Sequence, residues 1–145
     1  MSRHDRRAIR VLLVEDSPTD AMLVAEGLQS GPVDVELHVV TDGEQAIEYL
    51  SGCGQAGTPR PDLVLLDLHL PAKDGVEVLA EVKADPDLQT IPVIVLTGSV
   101  AEEDVLRCYR LHANSYVQKP SDIERFEALV QQVQGYWLQT VRRPV

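Results

Sequence analysis

The stretch at residues 63–71 most constrains how this chain can fold. Its four consecutive apolar residues, 63–66, are typical of a strand buried on both faces, because a half-buried strand would alternate apolar and polar residues. The stretch then places a carboxylate, Asp67, at the strand end, and Pro71 interrupts the chain soon after. Strand ends of this kind bind ligands in open parallel sheets. Taken alone, Asp67 fits either a ligand site or the N-cap of a following helix.

Similar apolar runs alternate with helix patterns along the chain. Because the connections are too short for anything but crossover helices, the strands must be parallel and the crossovers right-handed. The sequence therefore predicts an α/β, flavodoxin-like, doubly wound (βα)5 fold with a central five-stranded parallel sheet of order 2-1-3-4-5. The predicted strands are 9–14, 35–40, 63–67, 91–97 and 115–118, and the last three helices are at about 76–84, 101–111 and 121–140.

Length and composition indicate one domain, at residues 9–141, between an N-terminal tail at 1–8 and a C-terminal tail at 142–145. The 145 residues carry a formal charge of −10, which argues against a nucleic-acid partner. No apolar run is long enough for a membrane span or a signal peptide. The two cysteines, Cys53 and Cys108, have neither metal-ligand nor disulfide spacing. We therefore expect a cytoplasmic protein that binds neither nucleic acid nor membranes.

Polar residues follow four of the five predicted strands. Glu15 and Asp16 follow the first strand, Asp67 the third, Thr97 the fourth and Lys119 the fifth. Strands one and three are neighbours in the predicted sheet, so three carboxylates meet in one pocket and repel each other unless a hard cation binds them. Oxygen ligands favour Mg²⁺ or Mn²⁺ over zinc. Together with the Thr97 hydroxyl and the Lys119 ammonium, these carboxylates have the chemistry needed to hold a phosphoryl group on Asp67.

Each of these residues also has a plain structural interpretation. Glu15 and Asp16 fit acids at a helix entry, Thr97 fits a strand-end hydroxyl, and Lys119 fits a solvated charge. The whole set at the ends of four different strands is harder to explain by chance. Lys119 precedes Pro120, and the peptide bond between them could be cis or trans.

These residues resemble the receiver domains of two-component response regulators, over residues 10 to about 138. The chain further resembles the small single-domain regulators that pair with phytochrome-type histidine kinases, through residues 16–20, 42–46, the loop around Cys53, and 136–138. The receiver motifs are Val-Glu-Asp-Ser at 14–17, Leu-Leu-Asp-Leu-His-Leu-Pro at 65–71, Asp-Gly at 74–75, Val-Leu-Thr-Gly at 95–98 and Tyr-Val-Gln-Lys-Pro at 116–120.

The resemblance implies a ligand set for Mg²⁺. Asp67 becomes the phosphoacceptor and a Mg²⁺ ligand, Asp16 binds Mg²⁺ directly and Glu15 binds it through water. The backbone carbonyl of His69 is the third protein ligand. Many receivers carry another residue at His69, and we expect the histidine to alter the lifetime of the phosphoryl group by changing the access of water.

The resemblance also implies how the phosphorylation is sensed. Thr97 is the switch hydroxyl, Tyr116 the switch aromatic and Lys119 the phosphate-binding lysine. Gly98, next to the switch threonine, leaves that side of the site open. The protein is then a phosphoacceptor, with self-catalysed phosphorylation and dephosphorylation, rather than an enzyme. Its partners are a bacteriophytochrome-like sensor histidine kinase and a downstream phosphotransfer protein.

The last predicted helix carries an apolar stripe that extends beyond the sheet, since twenty helical residues span about 30 Å. We expect its early part to be core and its end to form a homodimer interface with the fourth helix and fifth strand, coupled to phosphorylation through Tyr116. The alternative is that its end folds back over its own domain. The predicted dimer residues are Phe126, Val133, Tyr136, Trp137 and Leu138.

Two other functions compete with a receiver. A Mg²⁺-dependent phosphatase also uses an aspartate at a strand end, but it needs a second acid two residues on, where this chain has His69. A phosphorylation-independent interaction module built on a receiver fold would not need the charge cluster around Asp67.

Overall fold

The computed structural model describes residues 8–54 and 58–144, and shows a five-stranded parallel sheet between two layers of helices. The strand order is β2-β1-β3-β4-β5, which confirms the predicted flavodoxin-like topology. The elements in chain order are β1 (Ile9–Val14), α1 (Pro18–Gln29), β2 (Val35–Val40), α2 (Gly43–Gly52), β3 (Leu63–Leu66), α3 (Gly75–Ala84), β4 (Val93–Thr97), α4 (Glu102–Arg110), β5 (Ser115–Gln118), α5 (Ile123–Val133) and a π-helical segment (Gln134–Thr140).

The predicted N-terminal tail at 1–8 lies, apart from residue 8, outside the described residues, as do residues 55–57 of the long loop after α2. The domain limits at 9 and 141 stay predictions. None of the described helices is both long and apolar enough to cross a membrane. Every described peptide bond is trans, including the one between Lys119 and Pro120.

The central strand β3 is buried on both faces, as its apolar run predicts. Val64 and Leu66 belong to the core under α2, α3 and α4, whereas Leu63 and Leu65 belong to the core under α1 and α5. Apolar burial on both sides of one strand joins the two helix layers through the sheet, and this burial is the dominant favourable term in folding.

The register of the sheet brings strand ends together. Val14 pairs with Leu66 across β1 and β3, and the Asp67 N–H donates to the Val14 carbonyl at 3.1 Å. At the other side, the Lys119 N–H donates to the Thr97 carbonyl at 2.8 Å. The ladder of backbone hydrogen bonds therefore continues one residue beyond β3 and β5, and it fixes the backbone of Asp67 and Lys119.

Helices α1 and α5 pack closely because Gly27 has no side chain. A Cβ at Gly27 would lie 2.4 Å from Cγ1 of Val130 on α5, a distance that real side chains do not adopt. Beyond α5, the buried Gln134 amide donates from Nε2 to the Leu28 carbonyl at 3.0 Å. These contacts seat the C-terminal segment on α1.

The predicted helix at 121–140 differs from the observed segment at both ends. Asp122 is the N-cap, since its carboxylate accepts from the Glu124 N–H at 2.9 Å, so α5 begins at Ile123. The α-helix ends at Val133, and the chain continues as a π-helix to Thr140. The Val141 N–H donates to the carbonyl of Tyr136, five residues earlier, which closes this wider turn.

The predicted dimer residues are mostly buried within the domain. This agrees with a core role for the early part of the helix and corrects the expectation that its end, at 136–138, has little of its own domain to pack against. Phe126, Val133 and Leu138 are only 3, 8 and 4% exposed in the core under α1. Trp137 packs against the same core. The wide π-helical turn brings Leu138, five residues after Val133, back onto the core face, so the alternative that the segment folds over its own domain applies here. Only Tyr136, 58% exposed, presents a large free surface.

Candidate functional site

Three carboxylates meet at the carboxyl ends of β1 and β3, as the sequence predicts. One oxygen each of Glu15, Asp16 and Asp67 lies within 4.8 Å of the others. Glu15 and Asp67 are buried, whereas Asp16 is exposed at the mouth of the site. A set of oxygen ligands this close fits a divalent cation, because the carboxylates otherwise repel each other.

The ammonium of Lys119 lies among carboxylates. Its Nζ is 2.5 Å from Oε1 of Glu15, 2.9 Å from Oδ2 of Asp20 and 3.1 Å from Oδ2 of Asp67. The lysine side chain is only 9% exposed, so these ion pairs are shielded from water. The fifth strand ends at Gln118, and the backbone bond from Lys119 to Thr97 directs the lysine into the site.

Asp20 is the site residue that sequence reasoning missed. It lies in the first turn of α1, where the Ser17 hydroxyl caps the helix by accepting from the Asp20 N–H at 3.2 Å. An acid three residues after an N-cap is typical of a residue that stabilises the start of a helix. The sequence alone therefore gives no indication that Asp20 contacts Lys119.

Burial and charge shift the acid–base properties of the two innermost groups. Burial raises the pKa of Glu15 to about 7, although the hydrogen bond and the charge of Lys119 oppose this shift, and the charge of Asp67 adds to it. For Lys119, burial would lower the pKa, but the hydrogen bonds to Glu15 and Asp20 and the charge of Asp67 raise the pKa above its ordinary value. The lysine therefore stays charged, and its charge opposes the rise in the pKa of Glu15.

The loop after β3 turns back tightly over the strand end. A Cβ at Gly75 would lie 2.2 Å from the backbone oxygen of Asp67, and the Gly75 N–H donates to the Leu68 carbonyl at 2.9 Å. The His69 N–H points to Oδ1 of Asp67 at 3.4 Å, and the His69 side chain is exposed. Glycine at 75 is what allows the start of α3 to approach the site this closely.

Thr97 and Tyr116 connect the site to the outer face of the sheet. Thr97 is fully buried at the end of β4. The Tyr116 hydroxyl donates to the Ser99 carbonyl, two residues after Thr97, at 3.0 Å. The Tyr116 N–H in turn donates to the Tyr109 hydroxyl on α4 at 3.2 Å. Direct hydrogen bonds therefore join the loop after Thr97 to Tyr116 and α4.

The chain matches known proteins over most of its length. The model of the response regulator receiver domain matches residues 11–131. Response regulator Rcp1 of Synechocystis sp. is 47% identical over 135 residues, which cover 92% of this chain and 92% of Rcp1. Both matches are to a family of signalling proteins and not to a family of enzymes. They therefore exclude the phosphatase alternative.

Solved structures of relatives have the same fold. The Mn²⁺-bound form of Rcp1 matches with a TM-score of 0.90 and 46% identity, over 94% of this chain and 99% of that one. The phosphorylated cyanobacterial phytochrome response regulator RcpA matches with a TM-score of 0.91 and 42% identity, over 95% of this chain and 99% of that one. The bacteriophytochrome response regulator AtBRR matches with a TM-score of 0.70 and 38% identity, over 90% and 96% of the two chains.

The same family is indicated by the fold, by the acidic cluster with its buried lysine, and by these matches. The chain belongs to the response regulator receiver domain family, and it is a signalling phosphoacceptor of a two-component phosphorelay.

Proposed function

We propose that the protein accepts a phosphoryl group on Asp67 from a phytochrome-type histidine kinase, with Mg²⁺ as the cation. The observation that carries this proposal is the position of Asp67, 3.1 Å from the Lys119 ammonium and within 4.8 Å of the oxygens of Glu15 and Asp16. The relatives support it: RcpA is described as a phosphorylated phytochrome regulator and Rcp1 as Mn²⁺-bound.

The proposed transfer uses the chain's own groups as follows. A carboxylate oxygen of Asp67 attacks phosphorus, forms a new O–P bond, and the P–N bond to the kinase histidine breaks. Lys119 offsets charge on the phosphoryl oxygens. A bound cation would offset the same charge, and Asp16, Asp67, Glu15 through water, and the His69 carbonyl would hold it.

The response to phosphorylation runs through Thr97. In this proposal its hydroxyl donates to the phosphoryl group, and the loop that carries Ser99 moves with it. Because the Tyr116 hydroxyl is bound to the Ser99 carbonyl, the ring changes position and alters the face formed by α4 and β5. That face would carry the signal, or the group itself would pass to a downstream phosphotransfer protein.

A homodimer through α4, β5 and α5 is the remaining part of the proposal. Several large apolar side chains stay exposed on α4 and at the two ends of the C-terminal helix. An exposed apolar surface of this kind favours association with a second copy. These residues are Leu106 (49% exposed), Tyr109 (49%), Ile123 (59%) and Tyr136 (58%).

Mg²⁺ is expected to stabilise the folded protein through the acidic cluster. At a concentration of ten times its dissociation constant, a ligand that binds only the folded state raises the free energy of unfolding by about 1.4 kcal/mol. We predict this gain for the wild type and for Asp34→Asn, which removes an exposed acid outside the site, and its loss in Asp16→Asn. Urea unfolding with MgCl₂, against NaCl of equal ionic strength, measures it. An equal gain in all three proteins would contradict a cation at Asp16.

Phosphorylation is expected to need both Asp67 and the cation. Incubation with acetyl phosphate and Mg²⁺ should add one phosphoryl group to the wild type and to Asp34→Asn, and none to Asp67→Asn or in the presence of a chelator. Intact mass spectrometry measures the gain. A folded wild type that gains nothing would instead favour the phosphorylation-independent interaction module.

The dimer is expected to depend on the exposed apolar side chains. Leu106→Glu and Tyr136→Glu should weaken association by at least tenfold, because each places a charge in the proposed apolar contact. Met22→Glu is the matched control, since Met22 is 56% exposed but lies on α1. Sedimentation velocity before and after phosphorylation measures the effect. If Tyr116→Ala leaves phosphorylation-dependent association unchanged, Tyr116 does not couple the two events.

A further inference from the structure

Lys119 contacts a carboxylate that does not belong to the proposed cation site. Oδ2 of Asp20 lies 2.9 Å from the Lys119 ammonium, closer than Oδ2 of Asp67 at 3.1 Å. Asp20 is not a member of the acidic cluster of Glu15, Asp16 and Asp67. Its side chain is 29% exposed, against 9% for the lysine, so Asp20 approaches Lys119 from the solvent side.

The first turn of α1 holds Asp20 in this place. The Ser17 hydroxyl accepts from the Asp20 N–H, and the Ser17 N–H donates to the Glu15 carboxylate at 3.2 Å. Asp20 and Lys119 both line a cavity of about 520 Å³ between α1 and the start of α5, which Gly98 and Asp122 also line. The Asp20 carboxylate therefore stands between Lys119 and an open part of the surface.

The donors of Lys119 are all in use. An ammonium has three N–H groups, and in this structure the Lys119 nitrogen contacts three carboxylate oxygens, one each from Glu15, Asp20 and Asp67. A phosphoryl oxygen can bind Lys119 only if one of these contacts is given up or shared. A cation at the acidic cluster would offset the charge of Glu15 and Asp67 but not that of Asp20, so Asp20 becomes the strongest competitor for the lysine.

We propose that Asp20 is a positioning residue that holds Lys119 at the cavity side of the site and weakens its contact with a phosphoryl group on Asp67. This inference rests on the proposed function, because it assumes that Asp67 is the phosphoacceptor. Its consequence is a shorter lifetime of the phosphorylated state than the other site residues alone would give.

The test uses beryllofluoride, a tetrahedral mimic of a phosphoryl group, titrated into the full chain with saturating Mg²⁺ and followed by ¹⁹F NMR. Asp20→Asn should bind it about three- to tenfold more tightly than the wild type, as expected when the competing acceptor of the Lys119 hydrogen bond loses its charge. The hydrolysis of the phosphorylated variant, after the phosphodonor is removed, should be slower by a similar factor.

Two further variants separate the role of Asp20 from other effects. Asp122→Asn removes a charge from the same cavity, and asparagine retains the N-cap of α5, so its affinity should stay within twofold of the wild type. Asp20→Glu keeps a carboxylate within reach of Lys119 and should stay near the wild type. If Asp20→Asn fails to fold, Asp20→Ser tests the same tighter binding.

Three results would overturn the proposal. Unchanged or weaker binding by folded Asp20→Asn would show that Asp20 does not compete for Lys119. An equal gain in Asp122→Asn would show that net charge alone sets the affinity. A wild type that binds no beryllofluoride with Mg²⁺ present would overturn the proposed function itself. This result concerns the wild type alone, whereas the other two results are differences between variants, so the two kinds of failure can be told apart.

Discussion

The ammonium of Lys119 is the constraint on which this structure depends. Without it, the buried carboxylates of Glu15 and Asp67 would face each other with no opposite charge within contact distance among the described residues. Ionised groups are costly to bury unless they are paired, and leaving one unpaired is more costly than never burying the pair. The lysine makes an acidic pocket compatible with a folded core, because its ammonium contacts both buried carboxylates.

The sheet supplies the geometry that this charge balance requires. The order of the strands makes β1 and β3 neighbours, and the backbone bond from Asp67 to Val14 sets the carboxylates side by side. The same kind of bond from Lys119 to Thr97 fixes the backbone of the lysine beside the end of β4. Four short strand ends therefore carry the site, while the apolar burial that holds them is spread over two cores. Most of the apolar burial that stabilises the fold therefore comes from residues outside the phosphorylation site.

The strand order and most of the site could be predicted from sequence because they depend on local patterns. The apolar run that ends at Asp67 fixes a buried strand, and the polar residues at the ends of four strands then imply a shared pocket. Asp20 could not be predicted, since its contact with Lys119 spans ninety-nine residues and has no local signature. The prediction for the end of the last helix was wrong for a similar reason. The π-helical turn that buries Leu138 arises from tertiary packing on α1, which helical periodicity does not represent.

The most direct test of the central claim is the free energy of unfolding of Lys119→Met, with and without Mg²⁺. We expect the variant to lose about 3 kcal/mol in the absence of a divalent cation, because its buried carboxylates lose their partner. We also expect Mg²⁺ to stabilise the variant more than the wild type, since the cation then supplies the missing positive charge. A variant as stable as the wild type, or one that gains no more from Mg²⁺ than the wild type does, would contradict the central claim.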